Sequence, residues 1–303
     1  MLALSIFKPI KTLAWGKEGH HMVIEIAYRF LSIGAREKLV NYLQGMSIDE
    51  ASVWMDVEKN NPQYKYLKHT HYIDINSGDS FDPNLRDNLY FELTKVMQDL
   101  NTQANQSRVT LDLLILIHLV GDLHQPLHIG YSTDRGGNTI PISINGKSMN
   151  LHEAWDSGII NETHITIDDI FQLYSTTPKT QIDSIEKGNI QDWLMDTRSQ
   201  LKFVYAFNGI GLDEKYVNNA SVIIKTQILK AGLRLSVLLE KYLDKLSNPS
   251  QSNSLIAKRP SKAGNEPSMV DDKMNDSSLL ELYIIGGVII ILLAMGFYYY
   301  FKK

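Results

Sequence analysis

The sequence has no cysteine among its 303 residues. That absence excludes disulfides, thiolate nucleophiles, iron–sulfur clusters and every cysteine-based zinc site. A basic excess is missing too. With 30 Lys and Arg against 34 Asp and Glu, the formal net charge is −4, unlike the strongly positive balance of a protein that holds nucleic acid on a basic patch. No internal repeat is found. What is present is 44% hydrophobic residues, enough for a sizeable core and far from a disordered or fibrous composition. The 9 histidines are spread unevenly along the chain.

The two ends read differently from the middle. Residues 282–301 (LYIIGGVIIILLAMGFYYYF) carry no charge over a length that can cross a hydrocarbon core as one transmembrane helix. Tyr298, Tyr299 and Tyr300 suit the membrane interface, and the basic tail Lys302–Lys303 favours a cytoplasmic C-terminus. Residues 247–281 are rich in Ser, Asn, Pro and mixed charge without an apolar period, as in a flexible polar tether. Residues 1–14 (MLALSIFKPIKTLA) resemble a degenerate signal peptide, with Thr-Leu-Ala before Trp15 as a small-residue cleavage site. The expectation is a membrane-anchored protein whose folded domain is extracytoplasmic: periplasmic, extracellular or luminal.

Residues 15–246 are expected to form one all-α domain. GHHMVIEIAYRFL, AREKLVNYL, LYFELTKVMQDL and TLDLLILIHLVGDL repeat apolar residues at three- and four-residue spacing, as do Ile190–Phe207 and Tyr216–Leu246. One β-hairpin interrupts the pattern: Thr139–Ile144 alternates, Asn145-Gly146 is a two-residue turn signal, and Lys147–Leu151 returns.

Histidine and aspartate fall into groups with metal-ligand spacing. His118 and Asp122 lie four apart on one helix face, and His128 follows once Pro126 has ended that helix. His152 and Asp156 repeat the four-residue spacing after the hairpin. One such pair is commonly a hydrogen bond on a helix surface, and a lone histidine among Leu114, Ile115 and Ile117 is commonly a core residue. Two pairs on apolar helices are another matter, because a buried carboxylate is costly unless a cation neutralises it. Imidazole and carboxylate are the ligands zinc takes where no thiolate is available.

Six segments then occur in order: WGKEGH (Trp15–His20), WMD (Trp54–Asp56), HYID (His71–Asp74), HLVGDLHQPLH (His118–His128), DRGGN (Asp134–Asn138) and NLHEAWD (Asn150–Asp156). Together, with AGLRLSVLL (Ala231–Leu239) as a closing helix, they resemble the zinc-dependent single-strand-specific nucleases and 3′-nucleotidases of the fungal S-one and P-one type, distantly related to bacterial phospholipase C. The resemblance covers about residues 15–245 and implies three zinc ions.

By that resemblance, Asp56, His71, His118 and Asp122 would hold the first ion, and His128, His152 and Asp156 the second. The third would take His20, Asp122 as a bridge, and the α-amine and carbonyl of Trp15, which requires removal of residues 1–14. Asn138 would steady the phosphate in the transition state. Lys59 stands where the family usually has arginine, a charge without the two-pronged fork. Tyr72 would stack on an unpaired base and Asp74 would bind its edge, which accounts for a single-strand preference. The activity implied is hydrolysis of single-stranded DNA or RNA, and of 3′-nucleotides, at the P–O3′ bond to leave 5′-phosphates. His21, His69, His124 and His164 match no ligand position. Zinc in one cleft would supply the local positive charge that the composition lacks.

Two other readings stay open. A phospholipase C would act on lipid head groups, but Trp15 and His20 are closer in sequence than in those enzymes, and Asp156 stands where they use Glu. A non-catalytic zinc-binding surface module is expected to have lost a ligand, and every ligand position here is filled. No protein partner is inferable. Asn105, Asn161, Asn219 and Asn275 match N-x-Ser/Thr, a pattern that also arises by chance.

Overall fold

Serine caps set where the second and third helices begin. In the computed structural model, which describes residues 15–102 and 108–247, Ser32 caps Ile33–Leu43 (α2), and Ser47 with Glu50 forms a capping box on Ile48–Glu58 (α3). Lys17–Phe30 (α1) precedes them; Leu89–Thr102 (α4) and Val109–Leu123 (α5) follow. The expected leader, the span at 282–301, the basic tail and all of the tether except Ser247 lie outside the described residues. Among the described residues no helix is long and apolar enough to cross a membrane.

α5 is the central element, and its composition explains why. From Leu113 to Leu123 every side chain is buried, including those of His118 and Asp122. A helix apolar on all sides must be covered on all sides, and α5 packs against α1, α3, α4 and the last helix, Glu214–Lys245 (α12). Each fully buried Leu or Ile contributes about 2 kcal/mol through lost apolar exposure. α12 crosses α1 closely, because Gly232 has no side chain: a Cβ there would lie 2.5 Å from Ile26 Cβ.

The hairpin forms as its turn signal requires. Pro141–Ile144 (β1) and Lys147–Asn150 (β2) pair antiparallel, with Asn145 (φ 47°) and Gly146 (φ 80°) both left-handed, as in a type I′ turn. A third strand, Gly211–Leu212 (β3), pairs parallel with β1 and makes a small sheet in the order β2-β1-β3. Two residues carry no readable alternation, so this strand has no signal in the sequence.

After β2 come Leu151–Glu153 (α6), a π-helical turn at Ala154–Gly158, then Ile159–Thr163 (α7), Ile167–Thr176 (α8) and Lys179–Ile185 (α9). The expected helix over Ile190–Phe207 is two shorter ones, Ile190–Arg198 (α10) and Leu201–Val204 (α11), broken at Ser199–Gln200. Apolar spacing survives such a break because both pieces bury the same side. The architecture is therefore mostly helical with a small sheet.

Candidate metal centre

Three elements converge beneath the middle of α5. α3 brings Ser52 and Asp56, four apart and both buried. The extended chain at 71–75 runs beside 128–130, joined by Ile73 N–H to the His128 carbonyl at 2.8 Å and Ile75 N–H to the Gly130 carbonyl at 3.0 Å. That pairing places His71 next to His128, whose Nδ1 donates to the His71 carbonyl at 2.7 Å. α6 and the wide turn after it carry His152 and Asp156, whose Nε2 and Oδ2 are 3.3 Å apart. The four-residue spacing thus crosses a π-helical turn, a distortion that recurs at functional sites.

Asp122 lies at the centre and faces two ways. Its Oδ2 is 3.0 Å from His71 Nδ1 and 3.3 Å from His118 Nε2. Its Oδ1 is 3.3 Å from His20 Nε2 and 3.6 Å from His128 Nδ1. Three groups of ligand atoms gather within metal-binding reach: His20 with His118 and Asp122; Asp56 with His71 and His118; His128 with His152 and Asp156. All eight side chains are buried.

The donor set fits metal. His118 donates its Nδ1–H to the Ser52 carbonyl at 2.7 Å, and His152 donates its own to the Gly136 carbonyl at 2.7 Å. With His128, three imidazoles thereby use Nδ1 as the donor to a carbonyl and turn Nε2 inward, the arrangement in which metal-bound histidines are held by their outer hydrogen bonds. The inward atoms Asp56 Oδ2, Asp122 Oδ1, His128 Nε2, Asp156 Oδ2 and both ring nitrogens of His20 have no hydrogen-bond partner. Buried polar atoms left unpaired at one spot are costly, and a cation satisfies all of them together. Burial, reinforced by the neighbouring His118, pulls His20 down to about 4; burial with His128 pulls His152 down to about 3. Both shifts favour the neutral imidazole, the form that can bind a metal. Burial drives the Asp156 carboxyl well above its usual range, opposed by the amide of Gln125.

The remaining sequence-derived candidates sit around this cluster. Lys59 Nζ donates to Asp56 Oδ1 at 2.9 Å. Tyr72 is exposed, with its hydroxyl 3.2 Å from His69 Nδ1. Asp74 is half-buried, and burial together with the Asp134 charge raises its carboxyl. Asn138 is half-buried and its Nδ2 donates to the Arg135 carbonyl at 2.8 Å. Trp15 is wholly buried, and the neighbouring Gly16 N–H donates to the Asp156 carbonyl at 2.7 Å, which brings the chain start of the domain to the ligand-bearing turn.

The chain matches the sequence profile of the S1/P1 nucleases over residues 15–244, a range that contains every residue of the cluster. The chain belongs to this family. It is a zinc-dependent nuclease of single-stranded nucleic acid. It is 30% identical to Endonuclease 3 of Arabidopsis thaliana over 269 residues, covering 76% of this chain and 89% of that one. It is 24% identical to Endonuclease 2 of the same plant over 266 residues, 75% of this chain and 90% of the relative. With Nuclease S1 of Aspergillus oryzae it shares 24% over 267 residues, 76% of this chain and 92% of the relative.

Residues that support the nuclease centre from behind were not visible as motifs. Gln125 is fully buried; its Nε2 donates to Asp156 Oδ1 at 2.5 Å. Gly121 makes room for His20, since a Cβ there would lie 2.7 Å from the His20 Nδ1. Both stand inside HLVGDLHQPLH, where a polar residue or a glycine among ligands is the available signal. His124 is structural: its Nδ1–H donates to the Val120 carbonyl, and its Nε2 accepts from Arg234 at 2.8 Å.

Proposed function

We propose that the nuclease works with three zinc ions and cleaves the P–O3′ bond of single-stranded DNA or RNA, and of 3′-nucleotides, leaving 5′-phosphates. The observation that carries this reading is the convergence of three ligand groups on Asp122, with their inward atoms unpaired. Asp56, His71, His118 and Asp122 hold one ion; His128, His152 and Asp156 hold another; His20, Asp122 and the amine and carbonyl of Trp15 hold the third. Zinc, when bound, supplies the Lewis-acid charge and the acidification of water that phosphodiester hydrolysis requires.

The chain's own groups do the rest. Asp122, buried and two-faced, links the metal groups. The Asn138 amide holds a phosphate oxygen, and Lys59 adds positive charge beside Asp56. Tyr72, exposed beside the ligand His71, stacks on an unpaired base, and Asp74 accepts from its edge. Trp15 can offer an α-amine only after residues 1–14 are removed, so maturation at Trp15 belongs to the same reading. The domain is extracytoplasmic and tethered by 282–301, a reading that rests on the sequence of that segment.

The test compares single-stranded DNA, RNA, a 3′-nucleotide and phosphatidylcholine as substrates, with and without a zinc chelator. Chelator-sensitive turnover of the nucleic acid and nucleotide supports the proposal. Chelator-resistant turnover would sink the metal mechanism, and lipid turnover alone would reassign the enzyme as a phospholipase. Mass analysis that finds residues 1–14 on the active enzyme would remove Trp15 from the ligand set.

A further inference from the structure

The histidines of the cluster are not all aimed in the same way. The rings of His118, His128 and His152 are each tied through Nδ1 to a backbone carbonyl, and His20 lies stacked on His118. His71 has no carbonyl tie on its ring among the described residues. Its Nδ1 faces Asp122 Oδ2 and His118 Nε2, both at 3.0 Å, and its Nε2 has no hydrogen-bond partner. The direction of this ring therefore depends on the backbone that carries it.

That backbone is thinly supported by its neighbour. The chains at 71–75 and 128–130 run in the same direction and are joined by the N–H groups of Ile73 and Ile75. So short a ladder does not hold its own register. The fixed point is Arg198, the half-buried last residue of α10. Its Nη1 donates to the Ile129 carbonyl at 2.6 Å and its Nη2 to the Ile75 carbonyl at 2.5 Å. One guanidinium thus spans both chains, with the Gly130 and Asn76 carbonyls at 3.4 Å and the Tyr131 ring 5.3 Å away. A planar fork sets the separation of two acceptors, which the point charge of a lysine does not.

α10 holds that fork still. Trp193 is buried and donates from Nε1 to the Lys187 carbonyl at 2.8 Å. Asp196, two residues before Arg198, accepts from Lys230 Nζ at 2.8 Å and Arg234 Nη2 at 3.4 Å, both on α12. We infer that Arg198 is a positioning residue of the metal centre: by clamping the chain at 71–75 to that at 128–130, it aims His71 into the group formed with Asp56, His118 and Asp122. This rests on the ligand set proposed above.

The experiment uses the full chain as Arg198→Ala and Arg198→Lys, with zinc affinity read by chelator competition. In Arg198→Ala one zinc equivalent should bind about 10- to 100-fold more weakly, the range for a ligand that loses its outer support, and the others as in the parent. Turnover of single-stranded DNA should fall by at least about tenfold. Millimolar guanidinium should restore both, and ammonium at the same ionic strength should not, because only the fork reaches both carbonyls. Arg198→Lys keeps charge and length and should show the same weakened equivalent, so it carries the test if Arg198→Ala does not fold. Leu39→Ala truncates a buried residue of α2 and lowers the melting temperature without touching the clamp; it should keep parental zinc affinity. Parental affinity and turnover in either Arg198 variant would overturn the inference. So would an equal loss in Leu39→Ala, the mark of general instability. His71→Ala is the reference. If it retains every zinc equivalent, the ligand assignment falls and the inference with it; if it loses one and Arg198→Ala loses none, the inference alone falls.

Discussion

The imidazole of His20 lies flat on that of His118, with ring centroids 4.1 Å apart and planes 13° apart. His20 fits there because Gly121, one turn along α5 from His118, presents no side chain: a Cβ would come 2.7 Å from Nδ1 and 2.9 Å from Cε1. In Gly121→Ala the helix itself gains propensity, about 1 kcal/mol, so the strain falls on His20. We expect retained helicity, loss of one zinc equivalent and an activity loss of at least about tenfold, on the scale of a displaced ligand. Circular dichroism with zinc analysis checks it; full zinc and full activity would refute the contact.

Gln125 decides which oxygen of Asp156 stays free. Its amide occupies Oδ1 and leaves Oδ2 unpaired toward His152. Gln125→Met keeps the volume and removes the bond. Zinc affinity measured by chelator competition should weaken by about 10- to 100-fold, the range seen when a metal ligand loses its outer hydrogen bond. Asp156→Asn provides the reference. If Asp156→Asn loses zinc affinity and Gln125→Met does not, Gln125 has no positioning role.

The crossing of α1 and α12 depends on Gly232 against Ile26. Gly232→Ala should destabilise the fold by about 1–3 kcal/mol, the usual cost of overpacking, in spite of alanine's better helix propensity. Thermal melting of Gly232→Ala in the parent and in an Ile26→Gly background, which removes the facing Cβ as well, completes a double-mutant cycle. The penalty should shrink in the second background, and equal penalties would show that the two side chains do not meet.

Asp112 carries a pH signature away from the metal centre. It is buried in the first turn of α5 and paired with Arg108 at 3.1 Å, and burial raises its carboxyl to about 6. A carboxyl with a folded value above its unfolded one, near 3.8, holds its proton more tightly in the native state. Its contribution is fully present below pH 3.8 and is lost as pH rises through about 6. Asp112→Asn abolishes that loss. Relative to the parent, the variant should be more stable at pH 7 than at pH 4, as read by denaturant titration at the two values; a difference independent of pH would refute it.

Much of the candidate site was legible because buried His and Asp are unusual residues among apolar neighbours. His118 and Asp122 on an otherwise apolar α5, His128 just past Pro126, and His152 with Asp156 after the hairpin all stand out against their neighbours. The long helices and the Asn145-Gly146 turn were legible for the same reason, since each repeats or punctuates a simple period. What left no pattern was short or indirect: the two-residue β3, the break at Ser199–Gln200, the π-helical turn under Asp156, and the support of Asp156 by Gln125. These depend on contacts between segments far apart in the chain.

The sequence by itself determined the helical class, the identity of the His and Asp residues that cluster, and the family, because residue type and local spacing carry them. Only the tertiary structure decided that α3, the chain at 71–75 and the turn at 154–158 meet around Asp122, and which nitrogen of each histidine faces inward. The reason is physical. A ligand's chemistry belongs to its own side chain, whereas its aim is set by the carbonyls of Ser52, His71 and Gly136, and packing alone brings those within reach.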